Sequence, residues 1–122
     1  MQAPDVVVAE VGASPLEPYN GSVAVAAIRD LTRFTVLCAS DPYAVLGVQT
    51  AFGQRPHLVA GPAANTDAAV SLVEKLAGVQ ALNLLDRRCY PVLKDMLAAG
   101  LGLGSMNRAG RRQRKGWPGG TQ

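Results

Sequence analysis

The chain has 122 residues and a mass of 12.7 kDa, with 48% hydrophobic and 17% charged residues. That size suits one domain or part of one, and the apolar content argues against global disorder. No apolar run approaches the ~20 residues of a membrane span, and nothing at the start reads as a secretory leader, so the expectation is a cytoplasmic protein with no membrane partner. Cys38 and Cys89 are too few for a disulfide scaffold, and with His57 as the single histidine they do not spell a zinc site. The net charge of +3 hides an asymmetry: residues 1–107 hold seven Lys/Arg against nine acids, whereas residues 108–122 hold five Lys/Arg and no acid. The body is mildly acidic and the end is basic.

Strand-like and helix-like segments alternate along the body. Asp5–Val11 (DVVVAEV) is β-branched and almost continuously apolar, the pattern of a strand buried on both faces. Gly12 closes it, and a proline-containing loop leads to Ser22, which can cap a helix to about Leu31 with Val23, Ala26 and Ala27 on one face. Phe34–Ala39 (FTVLCA) reads as a second buried strand, with Cys38 as a small core residue. Ser40-Asp41-Pro42 is a cap-then-proline helix start, and Gly53 ends that helix after Phe52.

Leu58–Gly61 is a third, shorter strand, with His57 in the loop before it. Asn65-Thr66-Asp67 offers the next cap, and Val70, Val73 and Leu76 or Ala77 align on the helix Ala68–Ala77 before Gly78. Gln80–Leu85 is a fourth strand candidate, and Arg88–Ala99 a last helix with Tyr90, Leu93, Met96 and Leu97 inward. Beyond Gly100 the composition turns to Gly, Arg and Gln, the signature of a disordered basic tail.

Together these patterns predict an α/β fold: a mostly parallel sheet of about four strands with flanking helices, a Rossmann-like or P-loop half-domain over residues 1–99, and a Gly/Arg-rich tail over 100–122. Ligands of such sheets bind beyond the carboxyl ends of the strands, where Glu10, Ser40-Asp41 and Asn65-Thr66 fall. Glu10 interrupts an apolar strand, so it is either solvated at the strand end or bound to something, and a carboxylate there is placed to hold Mg²⁺. Asn65 or Thr66 either caps the following helix or reads a ligand; the asparagine amide offers a donor and an acceptor together.

The run Asp5–Pro18 (DVVVAEVGASPLEP) resembles the second acidic motif of the dethiobiotin synthetase family, a branch of the P-loop proteins with a strand of the type D-x-x-x-x-E-G-A-G-G followed by a substrate loop ending in proline. Gly61–Asn65 is similar to the family's G-x-x-x-N segment. The resemblance covers about residues 4–85. It implies Mg²⁺ and ATP or another purine nucleotide as cofactors, Glu10 as the metal ligand, Gly12, Ala13 and Ser14 along the substrate or phosphate loop, and Asn65 with Thr66 at the base. Val11 stands in place of the motif's first glycine and Ser14 in place of its last, which leaves the substrate open.

The sequence contains no G-x-x-x-x-G-K-[ST] run, and its lysines are Lys75, Lys94 and Lys115. The expectation is therefore the C-terminal part of a nucleotide-binding protein, inactive alone, whose partner is the missing N-terminal half of the domain or a second copy. The alternative is a non-enzymatic binding module whose tail Asn107–Lys115 meets nucleic acid through its arginines.

Overall fold

The computed structural model describes residues 3–12 and 20–103. Helix α1 spans Gly21–Ile28 and runs into a single 3₁₀ turn, Arg29–Leu31. Strand β1 is Val36–Cys38, helix α2 is Pro42–Phe52, and strand β2 is Leu58–Ala60. A 3₁₀ turn at Pro62–Ala64 precedes helix α3, Asp67–Ala77, and another at Arg87–Cys89 precedes helix α4, Tyr90–Leu101.

The helix starts and stops are chemical. Asp41 accepts the Ala44 N–H at 2.9 Å with Pro42 in the first helical position, and Thr66 Oγ1 accepts the Ala69 N–H at 3.1 Å. Gly53, Gly78 and Gly102 end α2, α3 and α4 in the left-handed conformation that glycine adopts without a Cβ penalty. Helix α1 differs: it begins after Asn20, itself left-handed at φ 64°, rather than at Ser22.

β1 and β2 pair in parallel, Val36 opposite Leu58 and Cys38 opposite Ala60. On the other side of β2 the predicted strand Gln80–Leu85 contributes one parallel bridge, Val59 to Ala81. Val59 donates its N–H to the Gln80 carbonyl at 2.9 Å and accepts the Leu82 N–H at 3.1 Å. Asn83 then turns the chain: its Oδ1 accepts the Leu85 N–H and its carbonyl accepts the Asp86 N–H, so the backbone leaves the sheet after one exchange.

The expected sheet of about four strands is thus corrected to two parallel strands and a bridge. Asp5–Val11 forms no strand at all, with Val7 75% and Val8 93% exposed. An apolar run becomes a strand only when a neighbour answers its backbone groups, and no described segment does so here. The same shortfall leaves β1 at a sheet edge. Cys38, expected in the core, is exposed there, and Val36 is exposed beside it.

Among the described residues the buried hydrophobic side chains all fall within 39–81: Ala39, Val45, Val59, Ala63, Ala64, Val73, Ala77, Val79 and Ala81 form one cluster, and Leu58 and Ala60 of β2 are buried as well. α2 and α3 pack against each other. Val70, Val73 and Ala77 make the inner stripe of α3, whereas Leu76 is exposed. Three hydrogen bonds from two side chains hold the far end of α3: Gln49 Nε2 and Arg55 Nη2 reach the Ala77 carbonyl, and Arg55 Nη2 also reaches the Gly78 carbonyl at 2.6 Å. These satisfy carbonyls the helix leaves open and put a cation at its negative end.

The remaining elements lie on the periphery. In α1 only Gly21 is buried, and Val23, Ala26 and Ala27 are exposed, while Val25 and Ile28 are half-buried. In α4 no residue is buried; Leu93, Met96 and Leu97 are half-buried as expected, and Tyr90 is exposed. α4 approaches Phe34 at Gly100, where a Cβ would stand 2.6 Å from the ring. Phe34 in turn stacks on His57 at 5.1 Å, and His57 Nδ1 accepts the Thr35 N–H. No described helix is long and apolar enough to cross a membrane. Of the tail expected over 100–122, Gly100 and Leu101 belong to α4, and residues 104–122, with the basic run, lie outside the described residues.

Candidate functional site

The carboxyl ends of β1, β2 and the Ala81 bridge open toward three loops, and these loops are tied together. After β1 comes Ala39, whose carbonyl accepts the Ala63 N–H at 3.0 Å from the loop that follows β2. Gly61 makes that approach possible. Its φ is +80°, and a Cβ there would meet the Ala39 carbonyl oxygen at 3.1 Å and its nitrogen at 3.3 Å. The loop after β2 is tied in turn to the loop after the bridge: Asn83 Nδ2 donates to the Asn65 carbonyl at 3.2 Å.

Ser40 and Asp41 stand at the first of these loops. Ser40 Oγ donates to Asp41 Oδ2 at 2.9 Å while Asp41 Oδ1 takes the Ala44 N–H. The Ala44 amide first, and the Ser40 hydroxyl second, hold the Asp41 carboxyl below its ordinary value of 3.8. At the second loop Asn65 is exposed, with its carbonyl engaged by Asn83. Thr66 is the N-cap of α3, the capping geometry that the sequence left open for this pair.

The third loop carries a group of side chains that pattern reading did not single out as a site. Arg88 forks onto Asp86, Nε to both carboxylate oxygens at 3.1 and 2.8 Å and Nη2 to Oδ2 at 2.6 Å. Asp86 also caps the turn by accepting the Arg88 N–H at 2.9 Å. The Arg88 guanidinium keeps the Asp86 carboxyl below its usual range, and Asp86 raises Arg88 in return. Arg88 is 86% exposed, so this pair orders the loop more than it stabilises the fold. Cys89 Sγ reaches the Asn83 carbonyl at 3.3 Å.

With Asp67, Val70, Ala81 and Leu82 these residues line an open cleft of about 340 Å³. The legible signal is N-x-x-D: Asn83 and Asp86 each bond a backbone N–H two residues on, a turn written in side chains.

Of the residues expected to bind metal and cofactor, Glu10 and Gly12 lie exposed in the N-terminal segment, which takes no part in the sheet. Ala13 and Ser14 lie outside the described residues. The structure therefore joins the Asn65 carbonyl to Asn83, which lines the cleft, leaves Thr66 as the cap of α3, and brings neither Glu10 nor Gly12 into the sheet. Among the described residues no three His, Cys, Asp or Glu side chains gather in a group that could hold a metal ion. No protein-family model, no curated protein and no solved structure matches the chain.

Proposed function

We propose that the chain is the base-side portion of a Mg-ATP-dependent, P-loop-type nucleotide-binding protein of the cytoplasm, and that a partner segment supplies its phosphate side. The observation that supports this is the coupling of three loops at the carboxyl ends of parallel strands: Ala63 to Ala39 and Asn83 to Asn65, beside an open cleft. In this reading Asn65 meets the edge of a purine with its amide, and Thr66 fixes the start of α3 and with it the height of Asn65. The resemblance of Asp5–Pro18 to the dethiobiotin synthetase family would give the substrate side to Gly12, Ala13 and Ser14, the last two lying outside the described residues.

The donor set fits Mg²⁺ in one mode only. Glu10 is an exposed carboxylate with no acidic cluster around it among the described residues, so it suits an ion that would take one carboxylate and draw its other ligands from phosphate oxygens and water. Mg²⁺ bound in that way neutralises charge on the phosphates. The chain's own contribution is to bind and orient the nucleotide; with no G-x-x-x-x-G-K-[ST] run it is expected to bind without turnover.

The partner is the missing N-terminal half of the domain or a second copy, and β1 supports the need for one. Phe34–Ala39 carries neither charge nor proline, the composition of an interior strand, yet among the described residues β1 pairs on one side only. Edge strands that have no mate are ordinarily blunted by such residues.

Calorimetric titration of the whole chain with ATP, with and without Mg²⁺, tests the reading. Binding is expected near a Kd of ~0.1–1 mM, the range open to a base contact without a phosphate loop. Asn65→Ala should weaken it roughly 5-fold, about the loss of one hydrogen bond, and Glu10→Ala should remove the Mg²⁺ dependence. Circular dichroism of both variants separates lost contact from lost fold. Absence of ATP binding by the folded chain, or binding that Asn65→Ala leaves unchanged, overturns the proposal.

A further inference from the structure

We draw no further inference here: the strongest candidate, the open cleft between the start of α3 and the Asn83–Cys89 loop, belongs to the site already described, its Asn83, Asp86, Arg88 and Cys89 groups being held by one another and by neighbouring backbone.

Discussion

Residues 39–81 and residues 3–38 share an apolar composition and differ in what that composition achieves. Within 39–81 β2 is flanked on both sides, by the Ala81 bridge and by β1, the one strand that residues 3–38 supply among the described residues, and Leu58, Val59 and Ala60 are almost wholly buried. In the second, Val6, Val7, Val8, Val11, Val23 and Leu31 are all exposed. Valine content is alike; the supply of backbone partners is not. A helix answers its own N–H and C=O groups, so α2 and α3 form wherever caps and an apolar stripe coincide. A strand depends on a neighbour, and the apolar run at Asp5–Val11 has none among the described residues.

Substitutions can break or sharpen that contrast. The largest effect is expected from Leu58→Ala, which empties the wholly buried first position of β2 and should cost about 2–5 kcal/mol. A urea titration reads it, and a loss under 1 kcal/mol would mean that the centre of the core is misplaced. Gly61→Ala comes next. It forces a Cβ against the Ala39 carbonyl at a positive φ, with an expected loss of ~1–3 kcal/mol and, in the nucleotide titration, a disturbed Asn65 loop.

Removing the α3 cap with Thr66→Ala should cost ~0.5–2 kcal/mol, and Thr66→Ser, which keeps the oxygen, should restore most of it. Val8→Asp sits at the far end of the scale. With its side chain 93% exposed, the change should fall within ~0.5 kcal/mol of zero. A loss as large as that of Thr66→Ala would show that residues 3–12 pack in solution and would erase the contrast between the two regions.

How far the sequence could be read follows the same division. Asp41-Pro42 and Thr66-Asp67 announced α2 and α3, and Gly53 and Gly78 their ends, because each signal acts over three or four residues. Leu58–Gly61 was legible as a strand from its unbroken apolar run, and β2 occupies all of it except Gly61. Asp5–Val11 and Gln80–Leu85 looked equally strand-like, yet one found no partner and the other was turned away by Asn83 after a single bridge. Pairing is a property of two segments, and one segment's composition carries half of it.

The site divides similarly. Asn65 and Thr66 were legible by position after a strand, and Thr66 took the capping option. The tie from Asn83 to Asn65 joins residues 18 apart and had no local signature. Cys38 shows the converse failure: an apolar neighbourhood in sequence placed it inside, and the unmatched edge of β1 placed it outside.

The confinement of the core to residues 39–81 also bears on how the chain reaches its fold. The strand pairings at its centre, Val36–Leu58 and Val59–Ala81, each close a loop of about two dozen residues, so neither needs a remote end of the chain. During synthesis this unit can assemble once Ala81 has cleared the ribosome, while α4 is still to come. On that order α4, whose Gly100 approaches the Phe34 ring, is expected to join last.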